Sequence, residues 1–195
     1  MTRFGAHIAL LLACAVCCCD AGFRRRMGMG MMGMGGMMGG RGMGGRGGMG
    51  MGGFMRDIHY LFANVDRIER HVRAVDSGYN ARTTSPDPEI ASTIKAHVNA
   101  MVRRMESGHG IRHWDPAFVE MSLTYDDMDT DVVELTNGVN VTVTGATDRA
   151  VSSACNHAIA VSRFVSEGFS EMHVSHALLP PAAQCPFDSI DVPIV

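Results

Sequence analysis

Two histidines stand at matching places in two helical stripes, and they are the strongest chemistry-bearing pair in this chain. His97 falls three residues after Ile94 and four before Met101; His157 falls three after Ala154 and four before Val161. Imidazole is the commonest side-chain ligand for zinc and copper, and a nearby thioether adds a soft donor. A Cu or Zn site built on His97 and His157, with Met101, is therefore one expectation. The competing one is a recurrent core histidine that hydrogen-bonds a hairpin or a helix end, because two ligands alone make a poor metal site. His173 and His176 form an HxxH spacing, which on a helix would put both rings on one face. They complete the metal candidates, and His109 and His113 make a further local pair.

Other chemistry is thinly supported. There is no GxSxG, HExxH or phosphate-binding loop, and no CxxC outside the first 21 residues, so the common hydrolase, metalloprotease, nucleotidase and redox signatures are missing. Catalysis by the histidines as acid–base groups ranks below binding. Asp126, Asp127, Asp129 and Asp131 read as a solvated face rather than a Ca²⁺ loop, because no EF-hand glycine follows.

The elements that must position these residues occupy only part of the 195-residue chain. Residues 1–21 read as a secretory signal peptide. Arg3 is the basic start, Ile8 to Val16 the apolar stretch, and Cys19-Asp20-Ala21 the cleavage site before Gly22. A buried helix or short anchor is the alternative, and Cys14 sits in a loose lipobox context. Secretion to the exterior or cell envelope leaves two of the six cysteines, Cys155 and Cys185. In an oxidising compartment they either form one disulfide, closing about 30 residues for roughly 3 kcal/mol, or remain buried or free thiols.

Residues 22–53 hold 16 Gly, 10 Met, 5 Arg and Phe23. A half-glycine segment cannot recover its ordering entropy, so a disordered tail is expected. Its first reading is a spacer. Its second is a thioether-rich copper ligand. An RGG-like nucleic-acid contact comes last, with one aromatic for stacking and export away from most RNA. The tail carries +5 against −8 for residues 54–195, so weak, salt-sensitive contact with acidic surfaces is also expected. No apolar run reaches the ~18–20 residues of a membrane span.

Residues 54–195 repeat themselves. Aligning 57–108 on 117–168 gives ten identities in 52 pairs, among them Val72/Val132, Gly78/Gly138, Asn80/Asn140, His97/His157 and Gly108/Gly168. Each half opens with a helical stripe: Ile58, Leu61, Phe62, Val65 and Ile68, then Phe118, Met121, Tyr125 and Met128. A hairpin follows, turning at Ser77-Gly78 and at Asn137-Gly138. A second helix closes each half, started by Ser85-Pro86-Asp87-Pro88 and by Thr147 or Asp148. The fold expected is α+β: tandem duplicated αββα modules forming a four-stranded antiparallel sheet packed against helices.

The run Gly78-Tyr79 … Thr83-Thr84-Ser85-Pro86-Asp87-Pro88-Glu89-Ile90 … His97-Val98 … Met101 … Arg103 … Gly108 resembles a module of secreted bacterial proteins, many from planctomycetes, that carry two such modules behind a signal peptide. Leu61-Phe62-Ala63-Asn64, the linker Ile111 to Pro116 and the ending Phe164-Val165 … Gly168 … Glu171 … His173 are similar to the same pattern, which spans about 58–180. The resemblance implies secretion and a double module, and no activity. Val65 and Tyr125 stand where those proteins often have His, and the second half lacks the Ser-x-Asp-Pro start. The reading is a secreted, non-catalytic binding or structural protein, with copper or zinc binding as its rival.

Overall fold

The structure is a computed structural model that describes residues 51–194. The expected signal peptide, Cys14 and nearly all of the expected Gly/Met tail lie outside the described residues. Helix α1 spans Met51–Phe62, so it takes in the last three positions assigned to that tail.

After α1 and a 3-10 turn at Val65–Arg67 come β1 (Glu69–Val75), β2 (Gly78–Thr84) and α2 (Pro88–Glu106). Helix α3 (Pro116–Thr124), a 3-10 turn at Tyr125–Asp127, β3 (Met128–Leu135), β4 (Gly138–Gly145) and α4 (Asp148–Glu167) follow. The order helix, turn, hairpin, helix therefore occurs twice. The first helix of each half is shorter than its apolar stripe predicts. Val65 and Tyr125 fall in the 3-10 turns, Ile68 follows one turn as extended backbone, and Met128 opens β3. Asn64 marks the first break, its side-chain amide donating to Tyr60 O at 2.8 Å. Helix starts behave as the capping chemistry demands: Asp87 accepts from the amides of Glu89 and Ile90, and Thr147 accepts from that of Ala150.

Among the described residues the antiparallel sheet has five strands, in the order β3-β4-β2-β1-β5. The expected four-stranded sheet is thus corrected. The fifth strand, β5 (Ser189–Val192), comes from the C-terminus and pairs with β1. The two hairpins meet along β2 and β4 in a symmetric register. Ala81 faces Val141, Gly78 faces Thr144, and Thr84 faces Gly138. Two reciprocal bonds continue this ladder beyond the strands: Ser85 N to Asn137 O at 2.9 Å and Gly145 N to Ser77 O at 2.8 Å.

That junction explains the paired glycines better than turn chemistry does. The hairpin turns lie one residue earlier than expected, because Val75 pairs with Gly78 and Leu135 with Gly138. The turn residues are Asp76-Ser77 and Thr136-Asn137, and Ser77 takes the left-handed conformation at φ 61°. A Cβ on Gly78 would stand 2.0 Å from Val143 O, and one on Gly138 2.1 Å from Thr83 O. Both glycines let the two hairpins approach.

Helices cover one sheet face. Val72, Tyr79, Ala81 and Val143 pack with Ala154 and Ala158 of α4, and Ile68 and Val139 pack with Ile90 and Ile94 of α2. Beyond α4 the chain makes a 3-10 turn at Gly168–His173 and returns along α4 as an irregular strap. Asn156 donates to Ala177 O at 2.9 Å, Ser152 donates to Pro180 O at 2.8 Å, and Ala182 N donates to Ser152 Oγ at 2.7 Å. Cys155 and Cys185 are joined by a disulfide. Among the described residues no helix is long and apolar enough to cross a membrane.

Candidate functional site

Among the described residues, two groups of titratable side chains in the interior stand out. The first is a joint between the α2–α3 linker and the C-terminal strap. Asp115 is fully buried and caps α3 by accepting from Ala117 N at 3.2 Å. The same carboxylate accepts from His176 N at 3.1 Å and lies 2.7 Å from His176 Nδ1. It also accepts from Arg112 Nε at 3.2 Å and from a terminal guanidinium nitrogen at 3.0 Å. On the other side of the ring, His176 Nε2 is 3.0 Å from Glu171 Oε1. Arg112 closes the joint by donating to Met172 O and Val174 O, each at 2.7 Å. Its guanidinium stacks over Trp114, Phe118 and Phe164, a cation–π arrangement. Arg112 holds φ 50° to make these contacts, a conformation that side chains other than glycine adopt at a cost.

Burial alone would push the Asp115 carboxyl up. The hydrogen bonds from the His176 ring, the His176 amide and Arg112 outweigh it and hold this group below the ordinary carboxylate value. All the members are engaged: a carboxylate, an imidazole flanked by two carboxylates, and a guanidinium. The arrangement orients an imidazole as catalytic triads do, yet Glu171 occupies the second ring nitrogen, where a base would meet its nucleophile.

The second group lies between α2 and α4 over the sheet. An electrostatic interaction links His97 on α2 with His157 on α4. Burial lowers His97 to about 4, partly offset by Asp57. Burial, then Arg70 and His97, lower His157 to about 3. His157 packs edge-on against Phe118, and its Nδ1 is buried without a hydrogen-bond partner. Arg70, only 5% exposed, reaches in from β1. It donates to Ser162 Oγ at 3.2 Å and to Thr83 Oγ1 at 2.7 Å. No carboxylate pairs with it among the described residues. Burial depresses its guanidinium, with Tyr79 opposing, and burial raises the Tyr79 hydroxyl to about 12.

The HxxH reading is corrected. His173 ends the 3-10 turn and is exposed, whereas His176 lies beyond it, buried in the joint. The two do not share a helix face, because α4 ends at Glu167. Met101 is half-buried on α2, and His109 and His113 are exposed. Among the described residues no group of three or more His, Cys, Asp or Glu side chains is placed to hold a metal ion. Sequence reasoning missed the joint as a unit. Asp115 directly precedes Pro116, a residue that suits the first turn of a helix, but nothing in the spacing tied it to a ring 61 residues away. No family model, curated protein or solved structure matches this chain.

Proposed function

We propose that this chain is a secreted, non-catalytic binding or structural protein, built from two tandem αββα modules behind a signal peptide and a Gly/Met-rich segment. The observation that carries the reading is the joint. Its most enzyme-like residues, Asp115, His176 and Glu171, spend their hydrogen-bonding capacity on one another, on Arg112 and on the backbone. The duplication is supported by the ten repeated identities and by the register that sets Ala81 against its equivalent, Val141. Export is supported by the Cys155–Cys185 disulfide, a bond of oxidising compartments. Membership in the planctomycete-type family belongs to the same proposal. Full-length protein expressed in an exporting bacterium tests it by mass and thiol count. The expected product begins at Gly22 and has no free thiol. A chain retaining Met1, with Cys155 and Cys185 reduced, contradicts it.

One observation favours the copper or zinc reading. His97 and His157 interact electrostatically and stay neutral at pH 7, the form in which imidazole ligates metal. Calorimetric titration of the full chain with Cu²⁺ and Zn²⁺ decides it. Stoichiometric binding lost in His97→Ala and His157→Ala supports a site in the fold; equal binding in all three proteins excludes it.

A further inference from the structure

The two outer edges of the sheet are treated differently. Strand β1 is covered by β5, with Arg70 facing Val192, His71 facing Asp191, Val72 facing Ile190 and Arg73 facing Ser189. Strand β3 ends the strand order on the other side. Yet β3 is the positional counterpart of β1. Each is the first strand of its hairpin, and β3–β4 pairs in the register of β1–β2 shifted by 60 residues. Among the described residues, no strand takes the place corresponding to β5 beside Thr130, Asp131, Val132 and Val133.

Alternation of the ladder shows which backbone groups face that place. Ser85 and Gly145 bond across the β2–β4 junction, so odd-numbered residues of β4 point to β2 and even-numbered ones to β3. With Asp131 facing Thr142, the outward groups of β3 belong to Thr130, Val132 and Glu134. The same counting makes Ala74 point outward from β1, where its N–H donates to Asp188 O at 2.9 Å. No backbone bond beyond the ladders engages Thr130, Val132 or Glu134 among the described residues.

The side chains along this edge define an occupant. Asp129 and Asp131 are exposed, and Val133 on the same face is 47% exposed; Glu134, on the other face, accepts from Asn99 Nδ2 at 2.7 Å. No ion pair of the described residues includes Asp126, Asp127, Asp129 or Asp131. At the covered edge, His71 Nδ1 and Asp191 Oδ1 lie 2.7 Å apart across the β1–β5 pair. At the open edge the residue at the His71 position is Asp131, so the complement there is a base. A second copy pairing β3 to β3 would crowd these acids together, which disfavours that arrangement.

We propose that the β3 edge is a strand-acceptor site, which takes an extended segment of a partner polypeptide whose residues alternate apolar and basic. The partner completes a sixth strand through the outward groups of Thr130, Val132 and Glu134, and its basic residues face Asp129 and Asp131. This is β-augmentation, in which main-chain bonds give affinity and alternate side chains give selectivity. The inference deepens the binding reading and rests on it only for the existence of a partner.

The probe is a capped nine-residue peptide alternating Val and Lys, titrated into the full-length protein and followed by amide NMR. Saturable shifts at Thr130 to Glu134 are expected, with little change in β5. N-methylation of the peptide on the bonding edge should abolish them without touching the protein. Asp129→Asn/Asp131→Asn should weaken binding by about tenfold or more and flatten its salt dependence. A Glu/Val peptide should not bind. Absence of shifts at millimolar peptide, equal binding of the Glu/Val peptide, or a β3–β3 dimer occupying the edge would each overturn the proposal. Such a failure, with export and thiol oxidation intact, would leave the broader reading standing.

Discussion

The joint around Asp115 and the histidine pair over the sheet solve the same problem in opposite ways. Both place titratable groups where water is scarce. At the joint the charge is kept and surrounded: Asp115 receives bonds from Ala117, His176 and Arg112. Over the sheet, His97 and His157 are kept neutral by burial, while Arg70 is left with two hydroxyl partners. Burial thus does not fix a protonation state. The number of complementary groups brought along with the buried one does.

Removing the charge at the joint should have the largest effect. Asp115→Ala strips the cap from α3 and leaves Arg112 and His176 facing each other without their shared carboxylate. A loss of about 3–5 kcal/mol is expected by urea unfolding. A loss under about 1 kcal/mol would mean that the joint is ornamental.

The histidine pair should govern acid stability in a separate window. Folded values near 4 and 3 lie below the ordinary 6.5, so the unfolded chain binds more protons between them. Their contribution is complete above pH about 6.5 and is lost as pH falls toward those values, by on the order of 3 kcal/mol per histidine. The double variant His97→Leu/His157→Leu should flatten the stability profile between pH 6.5 and 4. Asp115 behaves differently: its lowered carboxyl value confines its loss to pH below about 4. Identical profiles for parent and double variant would erase the distinction between the two regions.

Smaller effects sharpen the contrast. Arg70→Met removes a buried cation that lacks a carboxylate, and thermal unfolding should show a gain of about 1–2 kcal/mol. A large loss would show that the Ser162 and Thr83 bonds compensate fully for its burial. His173→Ala should be neutral within about 0.5 kcal/mol, because that ring is exposed, whereas the same change at His176 should resemble Asp115→Ala.

Local chemistry was legible in the sequence, and long-range pairing was not. The starts of α2 and α4 were legible from residue type, as the run Ser85 to Pro88 and as Thr147 or Asp148, and the structure places the caps on Asp87 and Thr147. Asn137-Gly138 misled, because it offers a tight turn to any reader of local sequence, while the glycine is there for a strand 55 residues away. The stripes through Ile68 and Met128 misled likewise, since 3-10 turns carry helical spacing past the helix end. Strand β5 alternates Ser189, Ile190, Asp191 and Val192, but four residues give too short a pattern without knowledge of the β1 edge. His97 and His157 were found through the internal repeat. The Asp115–His176 contact had no such trace, because only the folded path of the strap creates it.

The sharpest test of neutrality by burial is an NMR titration of the histidine rings in the folded protein from pH 8 downward. The account predicts that His97 and His157 keep neutral-ring shifts through pH 5, with midpoints of about 4 and about 3. A midpoint near 6.5 for either ring, with the fold intact, would contradict it.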